Sequence, residues 1–201
     1  MNKLGIALLA LGPLWGDETI TALGRKWSVP LAADWKGSAE ILELLVKKPQ
    51  EKPRRPKQFA ILEEGPYSAF TLEVDVKRNE KSLILVYAYQ DDNHFNYAHL
   101  SVDDPAKVHV HNGIFHVFEG DRVRISPLEG GPGALPGTEW TQVKMTWSGK
   151  TGEVICHANG KTTGALRGID LSLKHGKVGL GSFFETAAFR NLKITGTPVQ
   201  K

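Results

Sequence analysis

Five of the seven histidines and three of the four tyrosines lie between residues 87 and 116, and two alternating arginines follow at 122 and 124. Imidazole and phenol groups can move protons as general acids and bases. A guanidinium group pairs a carboxylate through two parallel hydrogen bonds. Side chains two apart on an extended chain share a face. Tyr97 and His99 therefore share one face, His109 and His111 a second, and Arg122 and Arg124 a third. That assignment leaves Val108, Val110, Val123 and Ile125 for a core. Tyr87 and Tyr89 precede the group on the apolar run Ser82–Gln90. Were these strands neighbours, one wall of a sheet would carry Tyr, His and Arg together.

Such a wall suits three kinds of chemistry. The first is glycan binding, with rings stacked on sugar faces and fixed polar groups on hydroxyls. The second is removal of a proton next to a carbonyl or carboxylate. Arg122 or Arg124 would neutralise the acidifying group while His99, His111 or Tyr97 moved the proton; polysaccharide elimination and 3-keto-glycoside cleavage both fit. The third is a metal site, with His109 and His111 joined by His99 or His116. The Asp91-Asp92-Asn93 and Asp103-Asp104 loops are oxygen-rich in a way that suits Ca²⁺. A half-exposed hairpin with solvated polar groups shows the same alternation. The chain has no Gly-rich phosphate loop between strand and helix and no serine nucleophile elbow. The expectation is therefore no cofactor, with a His-bound divalent metal or structural Ca²⁺ as the open alternative.

The elements that must position these residues are strands. The 201 residues are 41% apolar and 23% charged, enough for one core without covalent staples. One cysteine, Cys156, excludes an internal disulfide and a Cys-rich metal site. Residues 47–57 hold six Lys or Arg and one Glu, and Pro49–Lys57 reads as an extended, solvated loop; the net charge of +3 resides in that segment, so no nucleic-acid face is expected. Met1-Asn2-Lys3 precedes an apolar run of 12 residues, Leu4 to Trp15. This run falls short of the about 20 residues a bilayer needs. It matches a secretory signal. The expected organisation is a signal peptide over 1–16 and one domain over 17–201. The mature chain would have no integral membrane segment and would be secreted or periplasmic.

From about residue 58 onward, alternation and turn signals recur. Phe70, Leu72, Val74 and Val76 face one way and Thr71, Glu73 and Asp75 the other. Lys107–His111 and Ile114–Phe118 are expected to pair as a hairpin across Asn112-Gly113. Ile114–Phe118 should then meet Arg122–Ser126 across Glu119-Gly120-Asp121. Cys156 and Trp147 are expected in the core, and Trp27 and Trp35 in core packing or surface cover, with a sugar platform as their alternative. Many short strands with regular turns imply an all-β antiparallel sandwich or barrel.

Residues 67–196 resemble the concanavalin A-like lectin/glucanase superfamily, and more narrowly the bacterial exported 3-keto-disaccharide hydrolase, or family-16-like glycoside hydrolase, domains. The resemblance is carried by Phe70-Thr-Leu-Glu-Val-Asp-Val-Lys77, Trp140-Thr-Gln-Val-Lys-Met-Thr-Trp147 and Gly152-Glu-Val-Ile with its Asn159-Gly160 turn. Gly176-Lys-Val-Gly-Leu-Gly181 and Ala188-Phe-Arg-Asn-Leu-Lys-Ile194 complete it. It implies a jelly-roll β-sandwich and an oligo- or polysaccharide partner. The superfamily also contains glycosidases, lyases and protein-interaction modules. Family-16 glucanases share a Glu-x-Asp-x-x-Glu strand whose two glutamates serve as nucleophile and acid/base. Glu73-Val-Asp75 matches the first half, but Lys77 and Arg78 follow and the second glutamate is missing. Glu73 and Asp75 stand about 6.6–7 Å apart along the strand. A retaining glycosidase needs carboxyls about 5–5.5 Å apart. The two remain candidate substrate-binding carboxylates.

Overall fold

A computed structural model describes residues 18–128 and 132–199; the expected signal segment 1–16 lies outside them. Fifteen strands are formed among the described residues. They are β1 (Glu18–Ala22), β2 (Arg25–Val29), β3 (Trp35–Gly37), β4 (Ile41–Leu44), β5 (Gln58–Leu62), β6 (Tyr67–Arg78), β7 (Ser82–Asp91), β8 (His94–Ser101), β9 (Gly113–Phe118), β10 (Arg122–Arg124), β11 (Thr141–Ser148), β12 (Glu153–Ala158), β13 (Arg167–Ile169), β14 (Lys177–Ser182) and β15 (Ala187–Pro198). Two antiparallel sheets stack as a jelly-roll sandwich. The eight-stranded sheet runs β1-β2-β5-β14-β7-β8-β9-β10 and the seven-stranded sheet β13-β12-β11-β6-β15-β4-β3.

Alternation builds the core between them. Phe70, Leu72, Val74 and Val76 of β6 meet Leu83, Leu85 and Tyr87 of β7 in one cluster, which also takes in Trp27, Trp35, Trp147 and Cys156. Trp27 satisfies its indole N–H by donating to Ala22 O at 2.9 Å. Trp27, Trp35, Trp147 and Cys156 are thus in the core as expected, whereas Val123, expected there, is exposed on the short edge strand β10 and Ile125 is only partly buried.

The eight-stranded sheet is apolar on its other face too. Phe59, Ile61, Ile84, Val86, Phe95, Tyr97, Phe115 and Val117 form a second buried cluster there. A sheet face this apolar cannot be left to water at about 25 cal/mol per Å² of exposed apolar area. Residues 46–57 cover it. The amide of Lys48 donates to Phe184 O, Arg54 N–H reaches Asp121, Arg122 N–H donates to Arg54 O, and Arg55 bonds Asn93. Pro56 of this segment is buried. The basic, proline-rich segment that reads as a solvated loop is therefore a strap across the sheet.

The hairpin expected at Asn112-Gly113 does not form. Pro105 instead opens a short 3₁₀ turn, Pro105–Lys107, and the amides of Val110 and His111 both fold back onto Lys107 O at 2.8 Å. A proline at the first helical position has φ already set for such a turn. Lys107–His111 is therefore a compact loop, and Val108 and Val110 are only half-buried. Asn112 holds the loop from inside. It sits at φ 43°. Its carbonyl accepts from Ser101 N and Ala134 N, and its amide donates to Val102 O. The second hairpin, β9 to β10, forms as expected with Arg122 opposite Val117, and Glu119 takes a positive φ in the turn.

A polar network closes one end of the sandwich. Asn96 and His116 are paired across β8 and β9. The Asn96 amide donates to Asp170 at 2.7 Å, and His116 Nδ1 lies 3.0 Å from the same carboxylate, just beyond β13. Burial acts to raise the Asp170 pKa, but hydrogen bonds from His116, Ser172 and Asn96 hold it well below the usual carboxylate range. A depressed carboxyl stabilises the fold above its unfolded pKa of about 3.9 and loses that stabilisation as pH falls through its folded value. Asp170→Asn is expected to lower unfolding free energy at pH 7 by about 1–3 kcal/mol. Denaturant titrations should show the gap between variant and wild type shrinking as pH falls below about 4. Equal stability at neutral pH would show that this link between the sheets carries no weight.

Candidate functional site

Strand parity on the outer face of the eight-stranded sheet gathers the chemistry. Phe95, Tyr97 and His99 point outward from β8, and Phe115 does so from β9. Tyr97 stacks on Phe115 with centroids 5.2 Å apart. Arg122 extends over Phe183, its Cζ 4.3 Å from the ring centroid, and lies 5.4 Å from Phe115. Such cation–π contacts fix a guanidinium without using its hydrogen-bond donors. His111, on the 105–112 loop, meets His99 edge-on with ring centroids 5.4 Å apart.

These groups surround a cavity of about 260 Å³. Its floor is His99 and Ser82. The strap contributes Gln50 and Arg54, the 105–112 loop Lys107, Val110 and His111, and the turn after β14 Phe183, Phe184 and Glu185; Lys81 and Arg122 complete it. Glu185 is already engaged, accepting from Lys81 N, Ser82 N and Ser82 Oγ at 2.7–3.2 Å.

Polar atoms here are left unmatched. His99 Nε2, His111 Nδ1, Arg122 Nη1 and the Tyr97 hydroxyl are all buried with no hydrogen-bond partner. Buried polar groups are ordinarily paired. His99 Nδ1 lies 2.7 Å from Val110 O. A carbonyl can only accept, so Nδ1 carries the proton and Nε2 presents a lone pair. Burial, with the nearby His111 and Arg122, pushes the His99 pKa down to about 3, so the ring is neutral at physiological pH. Burial also lowers His111, with Asp104 opposing that effect.

The remaining expected site residues lie elsewhere or serve the scaffold. Arg124 shares the outward parity of Arg122, but its guanidinium closes the 105–112 loop. It donates to Val108 O, His111 O and Asn112 O at 2.9–3.1 Å, and to Pro127 O at 3.0 Å. Gly113 makes the room: a Cβ there would come within 2.6 Å of Arg124 Cζ. His109 is exposed on the loop rather than paired with His111 on a strand, because the 3₁₀ turn removes the alternation. His116 points into the sandwich end, so the proposed His109, His111 and third-histidine set does not assemble. Among the described residues no three His, Cys, Asp or Glu side chains converge as metal ligands.

Tyr87 and Tyr89, two apart, fall on opposite faces. A bulge centred on Ala88, at φ 52°, turns Tyr87 into the core beside Trp147 and Tyr89 outward against Phe59. Tyr89 lines a separate cavity of about 140 Å³ with Phe59, Ile61 and Lys177. Glu73 and Asp75 lie on the outer face of the other sheet, where Glu73 meets Lys144 at 3.4 Å and Asp75 accepts from Asn191 at 2.7 Å. They take no part in the His99 cavity. Sequence reasoning missed Arg54, Lys81, Lys107, Phe183 and Phe184. The density of cations in residues 47–57 and the unpaired Phe183-Phe184 after Gly-Leu-Gly-Ser were the available signals.

Solved structures share the fold. The chain is similar to carbohydrate binding module CBM66 from Bacillus subtilis, with TM-score 0.62, 14% identity, and coverage of 91% of this chain and 97% of that one. A putative glycosyl hydrolase from Parabacteroides distasonis matches with TM-score 0.55 and 13% identity over 92% of this chain and 98% of the other. No family model and no curated protein matches the chain. At this identity the likeness establishes the sandwich, not its work.

The clamp on the loop is testable directly. Arg124→Ala leaves the Val108, His111 and Asn112 carbonyls without their charged donor. Hydrogen exchange at the Val110 and His111 amides is expected to quicken about tenfold or more, the equivalent of about 1.4 kcal/mol of local opening. Unchanged exchange would mean the loop is held by Asn112 alone.

Proposed function

We propose that this chain is a concanavalin A-like carbohydrate-binding domain that takes a sugar unit in the His99 cavity. The observation that carries the reading is the set of unpartnered polar atoms on His99, His111 and Arg122 around an opening walled by Phe183 and Phe184. An unmade buried hydrogen bond costs about 1–3 kcal/mol, and a ligand rich in hydroxyls recovers it. Donors and acceptors are both present: the His99 lone pair accepts from a hydroxyl, while Arg122 donates. Phe183 and Phe184 supply apolar ring surface of the kind that packs on a sugar face. At about 260 Å³ the cavity lies below the 300–1,000 Å³ usual for drug-sized ligands, which favours one ring or the end of a chain over a long segment. The neighbours named as a carbohydrate binding module and a glycosyl hydrolase support the same class of partner. An exported domain acting on extracellular glycan accords with the sequence expectation for residues 1–16.

Binding fits better than hydrolysis. Among the described residues one carboxylate lines the cavity, Glu185, and its Oε2 is engaged by backbone and serine donors. Glycoside hydrolysis ordinarily uses two carboxyls flanking the bond. A histidine titrating at about 3 is a weak base at neutral pH.

A glycan array probed with wild type, His111→Ala and Phe183→Ala tests this. At least one oligosaccharide should bind the wild type, with affinity falling about tenfold or more in each variant. Mass spectrometry should recover the bound sugar intact. Absence of any saccharide binding by folded wild type would overturn the reading.

A further inference from the structure

We infer that the sugar unit taken by this cavity is anionic, carrying a carboxylate or a sulfate; this rests on the glycan reading above and names the class of ligand within it. The argument is charge around one opening. Four cations, Arg54, Lys81, Lys107 and Arg122, come from four different elements and line it, Arg122 half-buried and the other three exposed. Among the described residues the one carboxylate lining it, Glu185, accepts from Lys81 N, Ser82 N and Ser82 Oγ. Asp121, which accepts from the Arg54 amide, acts on Arg122, and Asp104 acts on His111, so the four cations outnumber these three carboxylates by one.

Arg122 is the focal group. Its Cζ lies 4.3 Å from the Phe183 ring centroid and 5.4 Å from that of Phe115, and its buried Nη1 has no partner. A guanidinium held against aromatic rings keeps its N–H donors for the planar, two-point recognition of an oxyanion. A neutral sugar would pair one donor and leave the excess positive charge in place. An anionic one offsets it and still offers hydroxyls to the His99 lone pair, an acceptor that could not itself bind an anion. The two kinds of group thus divide the ligand: the Arg122 side takes the charged substituent and the His99 side a hydroxyl.

The test is equilibrium titration of the full chain with matched probes. Oligogalacturonate, oligoglucuronate and oligomannuronate are each compared with their carboxyl-reduced neutral counterparts, and sulfated galactans with desulfated ones. The expected result is a preference of about tenfold or more for the charged member of at least one pair. The pair that shows it tells carboxylate from sulfate. That preference should weaken between about 50 and about 500 mM salt, as exposed charges are screened. It should vanish in Arg122→Gln and shrink in Lys107→Gln, a loop-surface change with little bearing on folding. Equal binding of charged and neutral members would overturn the inference and leave the glycan reading standing. An anion preference untouched by both variants would place the charge recognition elsewhere and also overturn it. No binding of any probe by protein with native circular dichroism would overturn both.

Discussion

The structure depends on one constraint: the eight-stranded sheet is apolar on both faces. Its inner face meets the seven-stranded sheet, as in any sandwich. Its outer face carries the ring row Phe59, Phe95, Tyr97 and Phe115, and those rings are buried as deeply as the inter-sheet core. Something had to cover them. The strap over residues 46–57, the 105–112 loop and the turn at 183–185 do so from three sides. Where the three covers meet they leave a gap. His99 and Arg122, standing where the apolar row ends, bring polar atoms there that no cover satisfies. The cavity is thus the unfilled remainder of a packing problem, and its polar lining makes it a place for a ligand.

Preorganisation comes from residues that touch no ligand. Arg124 gathers the carbonyls of the 105–112 loop, and Asn112 ties the same loop to β8 and to Ala134. That fixes Val110 O, which sets the proton on His99 Nδ1, which leaves Nε2 as an acceptor. The chain of dependence runs from an arginine side chain, through a backbone carbonyl, to the hydrogen-bonding sense of an imidazole two strands away. A site whose donors and acceptors are set before binding loses less on association.

The sandwich itself was legible because period two is a strong signal and its failures are local. Phe70–Val76, the doubly buried run Ser82–Gln90, and the turns at Asn159-Gly160 and Glu119-Gly120-Asp121 all read through to the fold. Tyr97, His99 and Arg122 share the outer face by alternation, whereas His111 reaches His99 from a loop that alternation did not foresee. What misled was punctuation. Asn112-Gly113 has the composition of a two-residue turn, yet Asn112 serves as a three-bond hub and Gly113 as clearance for Arg124. Pro105 made a turn out of a segment that alternates like a strand. The bulge at Ala88 separated Tyr87 from Tyr89, and nothing in residue type announces it. The strap was illegible for a different reason: charged, proline-rich chain is usually solvated, and only the second apolar face of the sheet requires it to lie down.

The most direct measurement is side-chain nitrogen–proton correlation spectroscopy of the full chain, with the histidines and arginines labelled, titrated with a bound saccharide. The account requires the largest perturbations at His99, His111 and Arg122, with the His99 Nδ1 proton retained throughout. Perturbations confined to Arg190 and the neighbours of Glu73 and Asp75, on the opposite sheet, would contradict it.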